Sequence, residues 1–394
     1  MSENTVIVGM ARTPIGNFNG AFSGIPATQL GSTAIEAAVK RSSISAEQVS
    51  DVLMGCVLPA GLGQAPARQA AIGAGLPISA GATTLNKMCG SGMRTIMTAD
   101  DALRAGSADI VVAGGMESMT NAPHLLPTGR SGVKYGHSEI LDHMAIDGLE
   151  DAYDKRTAMG VFADRTARDR QITRDDQDEY ATMSVTRAQR AISDGSFQLE
   201  ITPVVLNTRK GEIVISDDEK PGLVNPDKIP QLRPAFEKDG TVTPGNASAI
   251  SDGAAAVVLM RARDAQNAGA QPIARIVGHV SHAVPPNEVC NAPIKAIEKL
   301  LTKTGWNKDD VDLFEINEAF AVVAIAAIRE LNLPTEKVNI NGGAIALGHP
   351  IGASGTRIII TLLAALQRTG GTKGIASLCI GGGEATAVAV ELIK

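Results

Sequence analysis

Aromatic side chains and surplus positive charge are both scarce in this sequence. Phe, Trp and Tyr make up 3% of 394 residues, and 42 Asp and Glu outnumber 36 Lys and Arg, for a formal net charge of −6. Single-stranded nucleic acids are bound largely by aromatic stacking inside positively charged grooves, and polybasic surfaces attract anionic membranes. The composition therefore argues against nucleic-acid and membrane partners.

Cysteine is also rare. The four cysteines, at positions 56, 89, 290 and 379, form no C-x-x-C pair and have no histidine nearby at zinc-binding spacing. This pattern argues against a disulfide framework and against a structural metal site. We expect free thiols in a reducing compartment and no bound metal.

Long apolar runs are missing as well. No stretch approaches the roughly 18 residues that a membrane-spanning helix needs. The N-terminal MSENTVIVGMARTPIG lacks the charged segment and apolar core of a secretory signal, and the C-terminal ELIK is not a peroxisomal signal. These observations predict a cytoplasmic protein.

Short apolar segments, by contrast, are frequent in a chain that is 44% hydrophobic and contains 41 glycines. They alternate with helical patterns, and they predict an α/β fold whose sheet is buried on both faces. The length favours two or three lobes. The predicted strands are residues 5–9, 51–57, 109–115, 255–260, 312–317 and 374–383.

Two segments share one order of elements. Residues 89–118 contain a glycine turn, a helical pattern and an apolar strand that ends in Gly-Gly-x-Glu, and residues 348–385 repeat that order with GASG and CIGGGEA. The pattern predicts a duplicated α/β unit. Both turns would then lie at the sheet ends, where α/β proteins place their sites.

The segment between the halves is more polar. From residue 151 to 220, 25 of 70 residues are charged, against 78 in the whole chain. Loop-like stretches at 124–136 and 216–231 flank an amphipathic helical pattern near 173–195. We predict an inserted, largely solvated loop domain.

Cys89 lies in LNKMCGSGMRT, directly before a predicted helix that ends at Gly106. Amides at the start of a helix favour a thiolate over a thiol, and the thiolate is the reactive form. Most isolated cysteines, however, are small buried hydrophobic residues. The turn by itself leaves both interpretations open.

Three further residues lie at comparable positions. His349, between a glycine and a proline, could accept a thiol proton; Cys379 ends the second-half strand and could shuttle a proton to a substrate carbon. Asn317 follows a predicted strand, where it could cap the next helix or bind an oxyanion or its water. Cys379 could equally be a core residue of its strand, and His349 could be structural.

Five segments in this order and spacing together resemble the thiolase family. ARTPIG (11–16) and LRPAF (232–236) match it too, and the resemblance covers essentially the whole chain. The five segments are NKMCGSGMR (86–94), GNASAISDGAAA (245–256), NEAFA (317–321), GGAIALGHPIGASG (342–355) and CIGGGEA (379–385).

The resemblance implies a five-layered α-β-α-β-α fold built from two βαβαβαββ halves. The first half would comprise residues 1–118 and 249–271, the loop domain 119–248, and the second half 272–394. The family's assembly implies a homotetramer, a dimer of dimers, with residues 124–136 as the tetramerisation loop.

The resemblance also implies roles for the catalytic residues. Cys89 would be the nucleophile that carries the acyl group, His349 its activator, and Cys379 the acid and base at the substrate carbon. One oxyanion hole would use the amides of Cys89 and Gly381, and the other His349 with a water held by Asn317.

The ligand implied by the family is coenzyme A and its acyl thioesters, as substrates rather than as a resident cofactor. Ser248 would bind the pantetheine arm. Six other residues would line the tunnel: Leu149, Met159, Phe236, Ala247, Ala319 and Phe320.

The sequence departs from the family at three positions. Ala158 replaces a histidine that many biosynthetic members carry, Gly222 replaces a common nucleotide-binding arginine, and Val289 begins a loop that differs from the usual Met-Gly-x-Gly-Pro. Lys220 or Arg209 could supply the missing cationic charge at the nucleotide. The Val289 loop abuts the acyl pocket in relatives, so this departure bears on the chain-length preference.

The expected activity is the reversible Claisen condensation of two acetyl-CoA to acetoacetyl-CoA and CoA, through S-acyl-Cys89. A degradative 3-ketoacyl-CoA thiolase of broader or longer chain length is the nearest alternative. A decarboxylating condensing enzyme shares the fold, but Cys379 and NEAFA argue against it. A non-enzymatic binder of acyl-CoA or lipid is the alternative from a different class, although Cys89, His349, Cys379 and Asn317 are all present.

Overall fold

The computed structural model describes residues 4–209 and 211–393. In it, the segments that were predicted to be strands lie in one extended sheet. The expected domain boundaries at Met1 and Lys394 lie outside the described residues. All six predicted segments form strands, and the sequence patterns missed several others. The strands are β1 Thr5–Arg12, β2 Gly16–Asn17, β3 Asp51–Gly55, β4 Gly81–Leu85, β5 Ile110–Ser118, β6 His124–Leu125, β7 Leu141–Asp142, β8 Val204–Thr208, β9 Gly211–Ile215, β10 Ser251–Arg261, β11 Ala274–Ala283, β12 Leu313–Ile316, β13 Lys373–Ile380 and β14 Glu384–Leu392.

The helices occupy the segments between these strands. The described residues also include short 3₁₀ turns and a π turn at Ala145–Leu149. The α-helices are α1 Ala27–Ser42, α2 Pro66–Gly73, α3 Ser91–Ala105, α4 Met159–Asp169, α5 Arg174–Ser193, α6 Ala262–Ala268, α7 Ala292–Thr304, α8 Ala321–Leu331, α9 Ala344–Leu347 and α10 Ile351–Thr369.

The sheet has the strand order β12-β13-β14-β11-β1-β10-β5-β3-β4, and β2 pairs with β10. Parallel pairs occur near both ends, β12 with β13 and β3 with both β4 and β5. The first-half strands meet the second-half strands where β1 pairs antiparallel with β11, Val6 opposite Arg275. The two halves are therefore joined through their backbones.

Helices cover both faces of each half. Helices α1 and α2 pack on the outer face of the first half, and α7 and α8 on that of the second. Helices α3 and α10 pack against each other between the two halves. This gives the five layers of the predicted fold.

The glycines that open the two central helices explain their close contact. A Cβ atom added at Gly92 would lie 2.9 Å from the backbone nitrogen of Thr356, and one at Gly355 would lie 2.3 Å from that of Met93. These distances are too short for a side chain, so α3 and α10 can approach only through glycine. As a result, the turns that precede both helices lie at the same end of the fold.

Helix α3 follows its sequence pattern closely. The predicted stripe of Met93, Ile96, Ala99 and Leu103 is fully buried, and the helix ends at Gly106, whose φ is 72°. That left-handed conformation is costly for other residues, which is why glycine stops the helix there.

The inserted segment contains the predicted amphipathic helix as α5, which begins at a capping box between Thr173 and Asp176. Some polar residues of this segment, which was predicted to be largely solvated, are nevertheless buried. Asp218 is 3% exposed because it pairs with Arg12, at 2.7 Å, and a buried carboxylate needs such a partner. Among the described residues, no helix combines the length and apolarity that crossing a bilayer requires.

Candidate active site

Cys89 is held in a tight turn immediately before α3. The Ser91 hydroxyl accepts a hydrogen bond from the Lys87 amide, at 2.8 Å, and donates to the Met88 carbonyl, at 2.7 Å. Gly90 follows because Ile380 leaves no room there: an added Cβ atom would lie 2.4 Å from the Ile380 side chain. The nucleophile turn of the first half therefore contacts the end of β13 in the second half.

The local electrostatics keep the Cys89 sulfur protonated. Burial raises the pKa of the thiol to about 11, although the backbone amides of Gly381 and of Cys89 itself act in the opposite direction by hydrogen bonding to the sulfur. The amides favour the thiolate, as expected, but the loss of hydration on burial outweighs them. Cys89 is a thiol at neutral pH.

Gly381 lies just beyond β13, in a turn of three glycines. Gly382 and Gly383 have φ angles of 93° and 86°, and a Cβ atom at Gly383 would lie 2.5 Å from the Val284 carbonyl oxygen. This turn directs the Gly381 amide toward Cys89. Two amides, one from each half, therefore converge where an acyl oxygen on Cys89 would carry charge.

His349 is 6% exposed and precedes α10. Its Nδ1 lies 2.5 Å from the Ser354 hydroxyl, which itself donates to the Pro350 carbonyl at 3.0 Å. Because that hydroxyl proton is committed, Nδ1 must carry the ring proton, and Nε2 presents its lone pair. Burial, followed by the charge of Arg357, lowers the pKa of His349 to about 3, so the ring is neutral.

Asn317 lies directly after β12 and is 1% exposed. Its Nδ2 is 3.5 Å from His349 Nε2. The alternative in which Asn317 caps the following helix was wrong, because α8 begins at Ala321 and its N-cap position is Phe320. The side chain faces His349 instead of capping a helix.

Cys379 lies near the end of β13 and is 5% exposed. Burial raises the pKa of its thiol well above the ordinary value, and the neighbouring thiols of Cys290 and Cys89 raise it further. The structure therefore brings together the two cysteines that the sequence analysis paired. It adds Cys290, to which the sequence analysis gave no role.

A cavity of about 730 Å³ leads to this group of residues, with His349 in its wall. Cys89 packs against the same small apolar cluster as Leu149 and Ile250, and these two residues line the cavity. Ala319 is not among the lining residues; its carbonyl instead accepts a hydrogen bond from the Ser248 amide, at 3.0 Å. The other six predicted ligand-binding residues do line it: Leu149, Met159, Phe236, Ala247, Ser248 and Phe320.

Of the two cations suggested for the nucleotide, Lys220 lines the cavity and Arg209 does not. Lys220 Nζ donates to the Ile345 carbonyl, at 2.6 Å, and burial lowers its pKa to about 8. Arg209 is exposed just after β8.

Sequence reasoning missed buried residues that hold the backbone around the site through hydrogen bonds. Glu117 ends the first-half strand, and its carboxylate accepts hydrogen bonds from the amides of Val57, at 3.0 Å, Leu58, at 3.1 Å, and Gly352, at 2.8 Å. Burial raises its pKa to about 7. The only sign of Glu117 in the sequence is a carboxylate at the end of an otherwise apolar strand. Ser354 and Arg357, which act on His349 from inside α10, have no such sign in the sequence.

Family comparison agrees with this geometry. The sequence matches "Thiolase, N-terminal domain" over residues 5–263 and "Thiolase, C-terminal domain" over residues 270–392.

The chain belongs to the thiolase family.

Relatives of this thiolase span its full length. An acetyl-CoA acetyltransferase of Cupriavidus necator is 48% identical over 391 residues, which cover 98% of this chain and 99% of the relative. The cytosolic acetyl-CoA acetyltransferase of Mus musculus is 47% identical over 393 residues, with 99% and 98% covered. The crystal structure of the Bacillus anthracis acetyl-CoA acetyltransferase superposes with a TM-score of 0.97 at 41% identity, covering 100% of this thiolase and 99% of that chain.

Proposed function

We propose that this thiolase is an acetyl-CoA C-acetyltransferase, which joins two acetyl-CoA into acetoacetyl-CoA and CoA and catalyses thiolysis in reverse. The observation that carries the proposal is the group formed by Cys89, Cys379 and the Gly381 amide beside a cavity whose wall contains His349. The names of the full-length relatives agree with it.

The first step would transfer an acetyl group to Cys89. His349 Nε2 accepts the Cys89 proton while the sulfur attacks the thioester carbonyl. The Cys379 thiol gives its proton to the departing CoA sulfur, so CoA leaves as a thiol and Cys379 becomes the thiolate that the second step needs. Because the pKa of the Cys89 thiol is about 11 and that of the imidazole is about 3, proton transfer from Cys89 to His349 is unfavourable in the resting site. It must therefore accompany attack, as charge moves onto the carbonyl oxygen and toward the two amides.

In the second step, Cys379 removes the α-proton of another acetyl-CoA, and the resulting enolate attacks the acetyl carbon on Cys89. The enolate oxygen accepts hydrogen bonds from His349, whose Nε2 carries the proton taken earlier, and from a water on Asn317. The new carbon–carbon bond forms as the Cys89 sulfur leaves and takes back its proton from His349 Nε2. Thiolysis is the same sequence in reverse, with Cys379 protonating the departing enolate.

The names of the full-length relatives support an acetyl rather than a long acyl group. At the site, Met88 and Met159 lie beside Gly381: a Cβ atom at this glycine would be 3.8 Å from the Met88 side chain and 3.9 Å from the Met159 sulfur, which are ordinary van der Waals distances.

The assembly, the location and the cofactor requirement belong to the same proposal. The predicted tetramerisation loop, residues 124–136, exposes Leu126, Val133 and Tyr135, and Ile140 is exposed shortly after it; exposed apolar surface of this kind marks interaction sites. We propose a homotetramer joined through this loop, in the cytoplasm, with CoA thioesters as substrates and no resident cofactor. Light scattering tests the assembly. The Tyr135→Ser variant should have a lower molar mass in solution than the wild-type tetramer.

Mass spectrometry tests the activity. After brief exposure to acetoacetyl-CoA, wild type should gain one acetyl group on Cys89, and Cys89→Ala should gain none. Thiolysis rates on four-carbon and on eight- to sixteen-carbon 3-ketoacyl-CoA substrates should favour the four-carbon substrate. Turnover confined to the long chains would identify the degradative enzyme instead, and tight acyl-CoA binding without turnover would identify a binder.

A further inference from the structure

Arg357 is a buried cation beside the site that the steps above do not use. It lies in the second turn of α10, with 2% of its surface exposed. Its Nη2 donates to Asn317 Oδ1, at 3.4 Å, and its Nη1 is 3.7 Å from a Glu315 carboxylate oxygen. The guanidinium thus contacts two residues of one short segment, at the end of β12 and just beyond it.

The contact with Asn317 decides which way that amide faces. An amide can be turned by 180°, which exchanges its acceptor oxygen for its donor nitrogen. A guanidinium has only donors, so it selects the orientation in which Oδ1 faces Arg357 and Nδ2 faces His349 Nε2. The two contacts, 3.4 and 3.5 Å, are long, as hydrogen bonds at catalytic sites often are before substrate binds.

The opposite orientation would harm the reaction. Asn317 would then direct an oxygen lone pair at the lone pair of His349 Nε2, and the water would lose the hydrogen bond that it accepts from the amide. Oxyanion stabilisation depends on donors that are oriented before charge develops.

Stability does not explain the presence of Arg357. Among the described residues, its Nε and Nη1 atoms have no hydrogen-bond partner. A buried ion pair of this kind is often no more stable than apolar side chains of the same size. The other charges that act on Arg357 are Arg12, Glu200 and Glu318, and none of them shares its contact with Asn317.

We propose that Arg357 is a positioning residue, which holds the Asn317 amide with its nitrogen toward His349 and the reacting acyl group. The inference rests on the proposed acetyltransferase function. It adds to that function a residue forty positions from Asn317 that acts through the Asn317 amide, besides the effect of its charge on His349.

A double-mutant cycle on acetoacetyl-CoA thiolysis tests the proposal. Arg357→Lys keeps the charge but loses the planar donor, and it should lower kcat by about tenfold or more with KM nearly unchanged. The matched control is Arg368→Lys on the same helix, where Arg368 donates to Asn341 Oδ1 at 3.0 Å; it should retain wild-type kcat.

Because Arg357 acts through Asn317, Arg357→Lys should cause no further loss in an Asn317→Ala background. Additive losses, or an Arg357→Lys enzyme as active as Arg368→Lys, would overturn the proposal. If Arg357→Lys fails to fold, the charge-balanced Arg357→Met with Glu315→Gln replaces it, with the same expected loss of kcat and the same non-additivity.

Acetylation of Cys89 in wild type separates this inference from the proposed function. Wild type that neither becomes acetylated nor cleaves acetoacetyl-CoA refutes both. Active wild type together with a normal Arg357→Lys enzyme refutes only the role of Arg357.

Discussion

The Lys87 ammonium and the Glu384 carboxylate form an ion pair that joins the two halves of the molecule at the active site. Lys87 lies two residues before Cys89, and Glu384 lies three residues after Gly381. The pair therefore connects the two turns whose amides converge on the Cys89 sulfur.

Breaking this ion pair should make the positions of the Cys89 and Gly381 amides, which form the proposed oxyanion hole, less fixed. Partly exposed ion pairs contribute about 0.2–1 kcal/mol, so Lys87→Met and Glu384→Gln should each lower kcat by no more than about fivefold. In a double-mutant cycle on kcat their effects should not add. Lys295→Met, which breaks the exposed pair with Glu298 on α7, is the control and should leave kcat unchanged; additive effects at positions 87 and 384 would show that the pair has no joint role.

Replacing Cys379 should abolish proton transfer at the substrate carbon while leaving the acetylation of Cys89 in place. With acetyl-CoA as the donor, Cys379→Ala should still become acetylated on Cys89, because water can protonate the departing CoA, yet it should lose exchange of the α-protons of acetyl-CoA with deuterated water. General acid–base catalysis contributes about 10²–10⁴-fold, which sets the size of the expected loss. Cys290→Ala removes the adjacent buried thiol and should retain exchange; the opposite result would assign proton transfer to Cys290.

The Ser354 hydroxyl should fix the tautomer of His349. In Ser354→Ala the Nδ1 proton loses its acceptor, so the ring no longer holds its Nε2 lone pair toward the site, and kcat should fall by about tenfold or more. Ser377→Ala, at another buried serine whose hydroxyl donates to the Thr386 carbonyl, provides the control for a cavity alone. Equal losses of kcat in the two variants would argue against tautomer control.

His349 should also make stability depend on pH. Burial lowers its pKa from an ordinary 6.5 to about 3, so the unfolded chain binds the proton more tightly. Its stabilising contribution is therefore complete above about pH 6.5 and is lost as the pH falls toward 3. Relative to His349→Gln, wild type should lose about 2 kcal/mol of unfolding free energy between pH 6.5 and 5. Calorimetric melting at both pH values measures this, and parallel changes in the two proteins would contradict the assignment.

Much of this architecture follows from local sequence patterns. The apolar segments that became β1, β5 and β13 needed only their hydrophobic residues and the turns that bound them. The length of α3 and its buried face followed from its stripe and from Gly106. The duplicated glycine turns, together with the family resemblance, identified Cys89, His349, Cys379 and Asn317 as the residues to test.

Strands β11 and β14 were harder to predict, because their pattern depends on pairing with distant partners rather than on local order. Helix caps had the same limitation: Asn317 looks like a cap in the sequence but lies four residues before the helix that it was expected to begin.

The sequence by itself determined which side chains are available for catalysis, because their types and spacing are local properties. Only the tertiary structure decided their protonation and orientation. Burial sets the pKa of the Cys89 thiol at about 11 and that of His349 at about 3, and burial is a property of everything packed around a group. The direction of the Asn317 amide likewise depends on Arg357, which the fold brings to it from the neighbouring helix.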